Sequence, residues 1–158
     1  MRKLAIAACF LAAPALADMQ MARDAFQRGQ FGETVARLTP AAQSGNAEAE
    51  FLLGRIYALG LGHPEDAWRA VEFLKRAAGK GHPAAQLHLS KAYASGAGLA
   101  APDPLRAALW AELAVLANAE GAAAHLAEQR RRLSEQDKSR LAPLLSDYRT
   151  HLFPFSPK

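Results

Sequence analysis

Histidines at positions 63, 82, 88, 125 and 151 have the widest chemical range of any side chains in this 158-residue chain. A neutral imidazole can ligate a metal, move a proton or accept a helix amide. No two of them are spaced i, i+4, no His-Glu-x-x-His sequence occurs, and the single cysteine is Cys9, so the spacing supplies no helical metal pair. No serine stands in a Gly-x-Ser-x-Gly elbow. Gly96-Ala97-Gly98-Leu99-Ala100-Ala101 fits a loose dinucleotide-binding pattern, but that pattern must leave a strand, and here a helical periodicity precedes it. Arg130-Arg131-Arg132, Lys138 and Arg140 are interleaved with Glu128, Glu135 and Asp137, as on a solvated helix face. No catalytic, cofactor-binding or metal-binding residue is assigned, and no nucleic-acid partner is expected.

Glu48, Leu52, Arg55, His88 and Lys91 form the one positive candidate, a partner-binding set. Leu52 and His88 are 36 residues apart, and so are Arg55 and Lys91. If the two segments are equivalent helices, these residues form parallel rows on the face opposite the core. An Arg/Lys row suits acidic side chains or a peptide carboxylate. The same spacing also fits an ordinary solvated helix face, so both readings stay open.

The 36-residue interval runs through the chain. Phe51-Leu52-Leu53-Gly54-Arg55-Ile56-Tyr57 returns as Leu87-His88-Leu89-Ser90-Lys91-Ala92-Tyr93, and Gly45, Gly60 and Gly62 return as Gly81, Gly96 and Gly98. Asp66, Ala70, Phe73 and Ala77 return at an interval of 37 as Asp103, Ala107, Trp110 and Ala114. Each unit parses as two helices: apolar stripes at helical spacing, glycines to end the first, and an aspartate to cap the second. The spacing predicts helices near 19–29, 32–43, 47–59, 66–78, 83–95, 104–119, 122–132 and 135–149. Pro40 is expected to kink or shorten the second, and Ser134-Glu135-Gln136-Asp137 to open the last as a capping box. Gly54, mid-helix and matched by Ser90, points to a close helix crossing. Trp68 lies off the apolar stripe; packing against the next unit is expected, and an exposed anchor is the alternative.

The pattern Ala49, Leu53, Gly54, Tyr57, Gly60, Gly62, Asp66, Ala70, Phe73, Ala77 resembles the Sel-like repeat (SLR), the longer-period relative of the tetratricopeptide repeat. The second copy reads Ala85, Leu89, Ser90, Tyr93, Gly96, Gly98, Asp103, Ala107, Trp110, Ala114. It departs from the family pattern at Ser90 and carries extra residues before Gly121. The resemblance implies an all-α fold, a short right-handed solenoid of tandem αα-hairpins, and an adaptor whose concave face holds a protein or peptide.

Composition agrees with that class. Residues 18–158 hold three Val, one Ile and three Thr, too few β-branched residues for a sheet, while alanine and leucine dominate. Arg2 and Lys3 precede an apolar run, Leu4 to Leu16, which is too short to span a bilayer, and Ala15-Leu16-Ala17 fits a small-x-small cleavage site. Residues 1–17 are therefore expected to be a cleaved signal. The alternative, a lipid-bearing Cys9 after Ile6-Ala7-Ala8, would leave an apolar region of only about five residues, short of the roughly seven to fifteen required. Cleavage removes two cations and no acid, lowering the formal charge from +4 to +2. The expected organisation is a repeat domain over 18–150, with clear repeats about 47–82 and 83–121, then a tail over 151–158. That tail either docks through Leu152, Phe153 and Phe155 or stays loose. The expected function is a periplasmic or secreted interaction scaffold without catalysis. The competing classes are a cell-envelope hydrolase on wall or peptide substrates and a structural subunit of a larger assembly.

Overall fold

The computed structural model describes the backbone of residues 7–62 and 64–152, and the side chains of 17–62 and 64–150. His63, the side chain of Cys9, and Phe153 and Phe155 of the tail lie outside the described residues. The fold is all-helical: among the described residues there are eight α-helices and no strand. They are α1 (Ala7–Gln27), α2 (Phe31–Gln43), α3 (Ala47–Ala58), α4 (Ala67–Gly79), α5 (Pro83–Ser95), α6 (Pro104–Leu116), α7 (Ala122–Arg132) and α8 (Glu135–Leu152).

Each helix packs on the next as far as α7, whereas α8 lies mainly against α6. The interior is made of small and branched aliphatics from every pair, among them Ala22, Leu38, Leu53, Ile56, Leu74, Leu89, Leu109 and Leu113. No helix carries enough apolar surface to be stable alone, so stacking neighbours completes each core layer.

Helix starts follow from side chains that satisfy the first free amides. Asp66 accepts from the Arg69 amide at 2.9 Å and Asp103 from the Arg106 amide at 2.8 Å, one unit apart. Asn46 and His82 occupy another equivalent pair of positions and cap α3 and α5, accepting from Ala49 and Ala85 at 2.9 and 3.2 Å. The Asp137 amide donates to Ser134 Oγ at 3.1 Å, which opens α8. In that capping motif the Asp137 carboxylate accepts from the Ser134 hydroxyl at 2.8 Å.

Both copies turn alike. The Asp66 amide donates to the Tyr57 carbonyl at 3.0 Å, and the Asp103 amide to the Tyr93 carbonyl at 2.8 Å. Gly62 and Gly98 take φ of +75° and +72°. Each presses on the start of the preceding unit's second helix: a Cβ on Gly62 would stand 2.7 Å from Phe31 Cβ, and one on Gly98 would stand 2.1 Å from the Ala67 carbonyl oxygen. Phe31 and Ala67 are themselves 36 residues apart, so the two contacts are one junction repeated.

Four expectations change. α1 starts well before 19, because the Ala/Leu-rich stretch continues as helix; its described core contacts begin at Met19. Pro40 does not shorten α2, which runs three residues past it to Gln43. α6 ends at Leu116 rather than 119. There Asn118 takes a φ of +58°, the Ala119 amide bonds the Ala114 carbonyl at 2.8 Å, and the Asn118 amide bonds Val115 at 3.0 Å. Asn tolerates the left-handed conformation, so it ends this helix as Gly45 and Gly81 end α2 and α4. Lastly, Trp68 is 66% exposed rather than packed on the next unit.

Candidate partner-binding face

The first helices of successive units, α1, α3, α5 and α7, share a side that carries most of the expected residues. Glu48 is engaged within the fold, 2.9 Å from His82 Nε2 and 3.5 Å from Arg23. Leu52 is buried at 7% exposure and belongs to the core. Arg55 lies over the Phe26 and Phe51 rings, 5.6 and 5.8 Å from their centroids. Phe51 also stacks on His82 at 4.6 Å and meets the edge of His88 at 5.5 Å. This aromatic shelf holds Arg55 beside His88, while Lys91 is exposed one turn further along α5.

The Leu52–His88 row continues onto α7, where Glu128 stands in the row of Arg55 and Lys91. With Asn118 placed where Gly45 and Gly81 stand, α7 continues the register, and His125 follows His88 by 37 residues as His88 follows Leu52 by 36. Burial is the main cause holding both His88 and His125 below the usual histidine range. Lys91 adds to it for both, joined by Arg55 at His88 and by Arg132 at His125, where Glu128 opposes the shift. Arg55, His88, Lys91, His125 and Arg132 therefore form one electrostatic neighbourhood across three helices.

Charge pairing sets this face apart. Arg69, Lys75, Arg76, Lys80, Arg106, Arg130 and Arg131 each have a carboxylate partner within the fold. From α3 to α7, the basic side chains that form no ion pair among the described residues are Arg55, Lys91 and Arg132. The nearby acids are taken: Glu48 by His82 and Arg23, and Glu128 by Arg131.

Ser90 and His125 meet with Oγ 2.9 Å from Nε2, a pairing that sequence spacing did not suggest. Ser90 is fully buried and its hydroxyl donates to the Ala107 carbonyl at 2.6 Å. With that proton committed, Nε2–H of His125 donates to Ser90, the reverse of what a base activating a nucleophile requires. The contact ties α7 to the α5–α6 pair.

Elsewhere, an open cavity of about 420 Å³ lies between α6, α7 and α8, lined by Glu112, Arg130, Leu133, Lys138, Leu141 and Leu145. A second of about 320 Å³ lies between α2, α3 and α4, where Arg69 and Arg76 cover Tyr57 and Phe73. Among the described residues no three His, Cys, Asp or Glu side chains converge as a metal site, and no helix is long and apolar enough to cross a membrane.

No family model matches the sequence, and no curated protein matches it closely. Solved structures do. A protective antigen present in uropathogenic Escherichia coli strains, displaying an SLR fold, superposes over 89% of this chain with a TM-score of 0.81 at 23% identity. The chain spans only 31% of that protein's length. A Sel1 repeat protein from Oxalobacter formigenes superposes over 72% of this chain and 88% of its own length, with a TM-score of 0.65 at 30% identity. The repeated turns, the matched helix caps and these likenesses place the chain in the Sel1-like repeat family.

Proposed function

We propose that this chain is an exported scaffold that holds a protein or peptide along its concave face, the side formed by α1, α3, α5 and α7, without catalysing a reaction. One observation carries the reading. Arg55 and Lys91 hold equivalent positions on α3 and α5, Arg132 lies one turn beyond the equivalent position on α7, and the three form no ion pair among the described residues whereas other basic residues of α3–α7 are paired. Unpaired cations carried on successive first helices are suited to a partner's charged groups.

Export rests on the basic, apolar and small-residue order of positions 1–17. The exposed Ala17-Asp18 junction supports cleavage there, since described core packing begins just beyond it at Met19. The proposed location is the periplasm or the cell exterior.

The test is the double substitution Arg55→Glu/Lys91→Glu, with the partner recovered by affinity capture from an envelope extract. Capture is expected to be lost while helicity and melting temperature stay unchanged. Undiminished capture by the variant would remove the assignment of this face.

A further inference from the structure

We propose that the face spanning Arg55, Lys91 and Arg132 takes the carboxylates of an acidic peptide segment, and that capture loads protons onto His88 and His125, so that affinity rises as pH falls. The inference rests on the docking reading above and adds the chemistry of the occupant and its control by pH.

The occupant's charge follows from what surrounds the face. Three guanidinium or ammonium groups lack an acid partner, and the local acids are engaged: Glu48 with Arg23 and His82, Glu50 with Arg76 and Lys80, Glu112 with Arg130, Glu128 with Arg131. These four carboxylates are committed to other side chains and none of them pairs with Arg55, Lys91 or Arg132. A peptide bearing its own carboxylates supplies what is missing.

The two imidazoles make the face proton-sensitive. His88 is met by Arg55 from α3 and Lys91 on its own helix, with the Phe51 ring at its edge. His125 is met by Lys91 from α5, and by Glu128 and Arg132 on its own helix, with Ser90 at Nε2. Burial and these cations hold both rings below the ordinary histidine range. A carboxylate seated on the row cancels the cationic field, so the bound state favours the imidazolium and binding takes up protons. His125 can accept its proton on Nδ1 and still donate from Nε2 to Ser90, so charging it leaves the α7 anchor in place.

The test measures binding of fluorophore-labelled hexa-aspartate, with hexa-asparagine as the neutral control, at pH 8.0 and 5.5. Proton uptake is read by calorimetry in two buffers of different ionisation enthalpy. The wild type is expected to bind hexa-aspartate roughly tenfold more tightly at the lower pH. His88→Gln/His125→Gln should bind equally at both pH values and take up no protons on binding. Glutamine at 125 keeps an amide donor for Ser90, and an unaltered melting temperature at pH 8.0 confirms the fold. Binding that is lost in Arg55→Glu/Lys91→Glu yet flat with pH and free of proton uptake overturns the proton coupling alone. Binding that survives Arg55→Glu/Lys91→Glu overturns the assignment of the face itself. No binding of hexa-aspartate at pH 5.5, or equal binding of hexa-asparagine, overturns the acidic occupant.

Discussion

Gly54 lies beneath Leu74: a Cβ added to the glycine would stand 3.0 Å from the leucine Cγ and 3.3 Å from the Ala70 carbonyl oxygen. One unit later the pair is Ser90 and Ala111, with the larger group moved to the other side of the crossing. The Ser90 hydroxyl reaches the Ala107 carbonyl, the counterpart of Ala70. The two copies thus fill the same crossing by opposite distributions of volume. Gly54→Leu is expected to lower stability by about 1–3 kcal/mol through overpacking. Gly54→Ser combined with Leu74→Ala should be more stable than the sum of the single changes implies, a coupling that urea denaturation of the four proteins would measure.

Glu50 is fully buried on α3, with its carboxylate 2.7 Å from Arg76 and 2.5 Å from Lys80. The Arg76 contact is an ion pair outside hydrogen-bond geometry; the Lys80 contact is also a hydrogen bond. The equivalent of Glu50 in the next unit is Gln86, also fully buried, and at an interval of 37 Leu113 and Ala117 stand where Arg76 and Lys80 stood. Charge is deleted from both sides together. Removing both cations, in Arg76→Ala/Lys80→Ala, should cost about 3–5 kcal/mol by leaving a buried charge uncompensated. Glu50→Gln should cost less, because the cations are 48% and 39% exposed and are rehydrated. Equal losses in chemical denaturation would contradict this asymmetry.

The depressed histidines give stability a definite pH slope. His88 and His125 sit below the ordinary value of 6.5 in the folded chain, chiefly through burial. As pH falls below 6.5 the unfolded chain takes up protons that the folded chain refuses, so stability present above 6.5 is lost down to the folded pKa values. The slope between pH 7 and 5 should be shallower in His88→Gln/His125→Gln than in the wild type. Thermal unfolding at a series of pH values would show it, and identical slopes would contradict it.

The two tryptophans report on different surroundings. Trp68 is 66% exposed at the start of α4, whereas Trp110 is 6% exposed and meets the Tyr148 ring at 5.7 Å, where α8 covers α6. Acrylamide should quench the wild type in two phases. Trp68→Phe should retain only the protected, blue-shifted component, and Trp110→Phe only the accessible one. A single phase in the wild type would contradict the docking of α8.

Most of the fold was legible because the repeat places glycine and aspartate where backbone geometry demands them. The glycines at 45 and 81 and the acids at 66 and 103 mark the turns and starts of both units without reference to the core. The third unit was harder to read, because Asn118 does the work of a glycine and Gly121 draws the eye three residues too far. That shift hid the equivalence of His88 and His125, and with it half of the candidate face. Leu52 shows the opposite difficulty: periodicity put it on the outer row, but neighbouring helices close over it. Trp68 was misplaced for a related reason. An apolar side chain at a unit boundary gives no sign in sequence of whether the next helix reaches it, and Leu105, its counterpart 37 residues on, is buried.

Gly98 sits in the turn that follows α5, with no room between it and the Ala67 backbone. That absence of a side chain is what lets the second unit settle at its pitch against the first, and the pitch is the ruler that spaces Arg55 from Lys91. The interval between those two cations is therefore gauged by a residue that carries no side chain.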